Sequence, residues 1–126
     1  MCVTLNQVQS IRRIIWLLKQ ITSVRYSTTQ NQALEQGHFA SVILMVDAVH
    51  LGVPNALDNV NIGTPFRPAK ELLEDFVEKG GNVLVCGACM KHNGVAESDI
   101  DKRFPVISGD DVVKLLMGSK GSLQLN

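Results

Sequence analysis

Residues 80–95, GGNVLVCGACMKHNGV, constrain this chain more than any other stretch of it. Gly80 and Gly81 close a helical pattern, and Val83, Leu84 and Val85 then form a short unbroken apolar run. A run of that kind reads as a strand covered on both faces, the situation of a parallel sheet. At its end stand Cys86 and Gly87, followed by a short helix over residues 88–93 that Gly94 stops. In open α/β sheets, ligands and reactive groups collect in the crevice beyond the carboxyl ends of the strands. A thiol in that place faces backbone N–H groups and the positive end of a helix dipole, both of which favour thiolate. Sulfur chemistry at Cys86 is therefore expected.

The rest of the chain repeats the alternation. Residues 40–46 form a second continuous apolar run, ended by Asp47 and a short helical turn over residues 48–51. Leu72, Leu73, Phe76 and Val77 recur at helical spacing between Pro68, which suits a first turn, and Gly80. A helical turn or two through Ala33 and Leu34 closes at Gly37. A last helix, capped by Ser108 or Asp110, carries Val112, Val113, Leu115, Leu116 and Met117. Short strands are expected near residues 1–5, 104–107 and 123–125, and a helix over residues 7–21. Residues 52–64 have no period and contain Gly, Pro and Asn, which suggests a functional loop or lid beside Cys86. Strands alternating with helices predict a single-domain α/β protein, a three-layer sandwich with a mainly parallel sheet of four to five strands.

Bulk properties narrow the function. A chain of 126 residues can bury a real core as one domain, and 45% hydrophobic with 19% charged residues is ordinary for a globular protein. The formal net charge is zero and only 5% of residues are aromatic, which recommends neither nucleic acid nor an anionic membrane as partner. Three cysteines, an odd number, do not form a disulfide framework. The apolar stretch over residues 11–21 is interrupted by Arg12, Arg13, Lys19 and Gln20 and falls short of the roughly 20 residues a membrane span needs. No signal peptide opens the chain, so a reducing, cytoplasmic setting is expected.

The apolar strand after Gly37 and His38, Asp47 at its end, and the helix running into Glu78, Lys79, Gly80 and Gly81 resemble the DsrE/DsrF/TusD-like family. Residues 83–95 carry the most specific likeness: a strand, a cysteine, a short helix, and Gly94 eight residues after Cys86. Gly109, Asp110, Asp111, Val112 and Val113 resemble the start of the family's final helix. The resemblance covers residues 33–126. Residues 1–29 are atypical, basic and isoleucine-rich, where relatives have a hydrophobic strand and a turn rich in Gly, Pro and acidic residues. The resemblance implies a compact α/β sandwich, often a homotrimer or homohexamer. It also implies a sulfurtransferase or sulfur carrier of sulfur oxidation or tRNA thiolation, exchanging sulfur with donor and acceptor proteins, with Cys86 at the sulfur-accepting position.

Around Cys86 several side chains have two readings. Cys89, one helical turn on, is either a resolving thiol or a helix-packing residue. Gly87 lies at the turn; Lys91 and His92 follow on the same short helix, where each is a solvated charge unless the pocket uses it. Asp47 ends a strand on the same sheet edge and either lines the pocket or caps the next turn, with His50 three residues on. Cys86, Cys89 and His92 lack a nearby fourth ligand, so no metal site is expected, and no cofactor is called for. Two other functions remain open: a thioredoxin-like dithiol oxidoreductase using Cys86 and Cys89, and a non-catalytic oligomeric binding module.

Overall fold

The computed structural model describes residues 2–3, 31–61 and 63–124. The helix expected over residues 7–21 lies outside the described residues. The α/β class and the parallel sheet are as the alternating pattern predicts. The strands are β1 (Cys2–Val3), β2 (Ser41–Leu44), β3 (Asn82–Cys86), β4 (Val106–Ile107) and β5 (Leu123–Gln124). They lie in the order β4-β3-β2-β1-β5, and every neighbouring pair is parallel. Helical residues 31–35 (α1) precede β2, and a 3₁₀ helix (Val46–Gly52) follows it directly. Helices α2 (Ala69–Glu78), α3 (Gly87–Asn93) and α4 (Gly109–Gly118) complete the described elements. Among the described residues no helix is long and apolar enough to cross a membrane.

Among the described residues β2 and β3 are the longest strands, and both apolar runs occupy interior positions in the sheet. Alternation sends Val42, Leu44, Val83 and Val85 to one face, where Val49, Phe76, Met90, Ile100 and Phe104 pack on them. Ile43 and Leu84 point the other way, onto Val112, Leu115 and Leu116 of α4. Helices therefore cover both faces, which explains why these strands read as apolar without a break. Burying a side chain such as Ile43, Val85 or Phe76 contributes about 1.5–3 kcal/mol each.

Local signals set the helix ends. Gly80, at φ 88°, takes the left-handed conformation that stops α2, and the Gly81 N–H returns to the Phe76 carbonyl at 2.9 Å. The same pattern of bonds closes α1 at Gly37. Ser108 caps α4 in a reciprocal box with Asp111: the Asp111 N–H donates to Ser108 Oγ at 3.3 Å, and the Ser108 N–H donates to the Asp111 carboxylate at 3.0 Å. Arg103 fastens the connection before β4. It holds Asp101 at 2.8 Å and Glu74 of α2 at 2.8 Å, and lies 5.5 Å from the Phe104 ring centre.

One expectation needs correction. The described part of residues 52–64 is not an open lid, because Leu57 and Val60 are buried against Ala69 and Leu72 of α2. The Ala69 N–H also donates to the Val60 carbonyl at 2.9 Å. Two apolar residues three apart anchor the segment although it has no period. On α4 the apolar residues are not all buried: Val113 is 58% and Met117 82% exposed.

Two predictions follow from this packing. A β-carbon at Gly81 would come within 2.4 to 2.6 Å of three carbons of the Phe76 ring, which is itself buried. Gly81→Ala is expected to cost about 1–3 kcal/mol in urea unfolding. Gly109→Ala, in open space at the start of α4, should leave stability unchanged or slightly raised. An equal response of the two variants would contradict the packing argument. The second concerns acid. Hydrogen bonds from Arg103 hold the Glu74 and Asp101 carboxyls below their usual range. Depressed carboxyls stabilise the fold above the ordinary carboxylate pKa, and that contribution is lost as pH falls through the folded value. Arg103→Gln should therefore cost less than about 1 kcal/mol at neutral pH, the groups being partly exposed and screened. It should also flatten the loss of stability below about pH 4. An acid limb as steep as the wild type's would refute it.

Candidate functional site

The register of the two central strands builds the site. Leu44 lies beside Val85, so the residues leaving β2, Met45 and Val46, stand next to the end of β3. On the other side Ile107 of β4 pairs with Cys86. Cys86 is thus the last residue of β3 and the residue from which α3 starts, with φ −73° and ψ 113°. It is 4% exposed. Gly87 follows in close contact with β4, where a β-carbon would come within 3.1 Å of the Val106 side chain.

Cys89 lies on α3 and is half-buried; both thiols are free. Burial is the main cause that pushes the Cys89 thiol up, and the neighbouring Cys86 adds to it. The backbone N–H of Val46, close to the Cys89 thiol, pulls the other way. The raised Cys89 value also carries a sign: the thiol favours the folded state up to the ordinary thiol range, and that support disappears as pH rises through the folded value.

Val46 is the unexpected residue. Its φ is 53°, a left-handed conformation that a β-branched side chain adopts only under strain of about 1–3 kcal/mol. The apolar run that predicts a strand through residue 46 ends at Leu44 for this reason, and Val46 instead opens the 3₁₀ helix. Its carbonyl accepts from Asn93 Nδ2 at 3.1 Å, and the same nitrogen donates to the Cys89 carbonyl at 2.9 Å. Ala48 and Leu51 of the 3₁₀ helix join the apolar cluster that includes Cys89 and Met90 of α3.

The expected residues therefore divide. Cys86, Cys89 and Gly87 come together where β3 passes into α3, and half-buried Asp47 lies in the first turn of the adjoining 3₁₀ helix. His50, Lys91 and His92 are exposed, the last two in the final turn of α3. Among the described residues no group of three or more His, Cys, Asp and Glu side chains is arranged to hold a metal ion. Sequence reasoning missed Val46 and Asn93. Asn93 offers a signal in retrospect, an amide four residues after Cys89 and next to a helix-stopping glycine; Val46 offers none.

The comparisons with known proteins agree with this geometry. The model of the DsrE/DsrF-like family matches residues 24–120. An uncharacterized protein of Methanopyrus kandleri is 31% identical over 100 residues, spanning 73% of this chain and 69% of the relative. The crystal structure of the YchN protein from E. coli aligns with a TM-score of 0.63, covering 98% of this chain and 96% of that one. At 13% identity that likeness speaks for the fold alone. A family match across most of the chain, together with a relative of this identity, makes the chain a member of the DsrE/DsrF-like family.

Proposed function

We propose that this protein is a sulfur carrier that holds a persulfide on Cys86 and hands it to an acceptor thiol. One observation carries the reading: in a family associated with sulfur relay in general, the chain ends an interior strand on a cysteine with a second thiol one helical turn away. The Cys86 thiolate attacks the outer sulfur of a donor persulfide, forming Cys86–S–S⁻ and releasing the donor as a thiol. An acceptor thiolate then attacks that outer sulfur, leaving as a persulfide and restoring Cys86. Each step exchanges one S–S bond for another, so no external oxidant is needed. Free cysteine, with a pKa of about 8.5, is only a few per cent ionised at neutral pH, so a sulfur carrier needs a position that supplies thiolate. Cys89 suits the role of neighbour or, once it gives up its proton, of release: attack of its thiolate on Cys86–S–SH would form the Cys86–Cys89 disulfide and expel hydrosulfide.

Because Cys86 is buried, a donor reaches it only when the residues over the strand end open locally. Such opening is compatible with docking of donor and acceptor proteins at the carboxyl edge of the sheet. Membership of the DsrE/DsrF-like family, rather than of a thioredoxin-like one, leaves the dithiol oxidoreductase reading without support. The proposal includes assembly as a homotrimer or homohexamer. The outward Val113 and Met117, one turn apart on α4, and Phe39, 97% exposed, are apolar surfaces suited to burial between copies.

Intact mass after treatment with glutathione persulfide tests the chemistry. Wild type and Cys89→Ser should gain the mass of one sulfur, and Cys86→Ser should gain none. Undiminished loading of Cys86→Ser would end the proposal, loss only in Cys89→Ser would move the nucleophile there, and no loading at all would favour a binding module. For assembly, light scattering at micromolar concentration should give a trimer or hexamer, and a monomer would refute it.

A further inference from the structure

The contacts at the end of β2 go beyond what two thiols require. Both backbone polar groups of Val46 are turned toward α3: its C=O accepts from Asn93 Nδ2 at 3.1 Å, and its N–H lies on the side of the Cys89 thiol, whose pKa it lowers. A primary amide nitrogen has two protons, and Asn93 directs them to two carbonyls, those of Val46 and Cys89. The last turn of α3 is fixed by other means, with Gly94 at φ 68° and the Val95 N–H bonded to the Met90 carbonyl at 3.0 Å. Asn93 is thus not needed to end its own helix. Its reach to Val46 joins two elements.

We infer that Asn93 is a positioning residue for the Cys86–Cys89 pair, holding the strained end of β2 against α3 so that Cys89 stays beneath the Val46 N–H and beside Cys86. Its functional weight rests on the sulfur-carrier reading, while the contacts it makes do not. An alanine would leave the two carbonyls without this donor. Val46 would relax out of the left-handed region, and the 3₁₀ helix that begins there would lift from α3. Cys89 would then gain solvent, and since burial is the largest cause of its raised pKa and outweighs the opposing Val46 N–H, its thiol would ionise at lower pH. The titratable groups on the surrounding elements are Cys86 on β3, Asp47 and His50 on the 3₁₀ helix, and Lys91 and His92 on α3.

The test is the pH profile of Cys89 alkylation by iodoacetamide, read by peptide mass spectrometry on the full chain, with thermal melting measured alongside. Asn93→Ala should displace the profile to lower pH and speed alkylation at neutral pH, because a thiol that gains solvent ionises more readily. Val46→Gly alone should keep the wild-type profile. The double variant should return to it, because glycine takes the left-handed conformation without help. If Asn93→Ala does not fold, Asn93→Ser should show the same displacement to a smaller extent. A lowered melting temperature with an unmoved profile would overturn the inference, and so would a displacement that Val46→Gly does not reverse. The profile needs no persulfide. Absence of wild-type sulfur loading would therefore remove the carrier reading and leave this result to be judged separately.

Discussion

Parallel pairing of β2 with β3 is the constraint on which the rest depends. Neighbouring strands lie about 4.8 Å apart, and parallel pairing brings their carboxyl ends to one edge of the sheet. With Leu44 beside Val85, the chain leaving β2 and the chain leaving β3 must diverge within a residue or two of each other. One turns into a 3₁₀ helix and the other into α3, and the two helices pack together over that edge. The cysteines sit in the join. Register is held by burial on both faces, since a one-residue slip would exchange Ile43 with Val42 and Leu44 between two differently shaped cores.

The close divergence has a local cost. Val46 takes a backbone conformation that its side chain disfavours, and it persists because its C=O is held by Asn93 of α3. Strain at the edge of a candidate reactive centre, held by neighbouring contacts, is a common arrangement where a thiol must be kept in one orientation. Here it links the fold to the proposed chemistry. The interaction that holds the β2 end down also sets how far Cys89 is buried, and burial is what keeps that thiol protonated.

Much of this was legible in the residues because its causes are local. Gly80 and Gly94 mark helix ends through a left-handed conformation glycine adopts freely, Ser108 and Asp111 make a reciprocal cap, and unbroken apolar runs mark strands covered on both sides. Cys86 at the strand end follows from the same signals. What could not be read has non-local causes. Tertiary contacts override the strand preference of Val46, and nothing in residues 40–46 announces it. Leu57 and Val60 anchor a segment without a period because α2 presents Ala69 and Leu72 to them. Val113 and Met117 belong to an apolar helix, yet the described residues leave both exposed, so helical spacing alone overstates the buried face. The degree of burial of Cys86 also depends on what packs over the edge, which no local pattern encodes.

The central claim is that the sulfur is carried on the strand-end cysteine and not on its neighbour. It is tested most directly by fragmenting the Cys86–Cys89 peptide of persulfide-treated, alkylated wild-type protein and locating the added sulfur. The account predicts a fragment series that places it on Cys86, with Cys89 carrying only the alkyl group. Added sulfur on Cys89, or none on either residue, would contradict it.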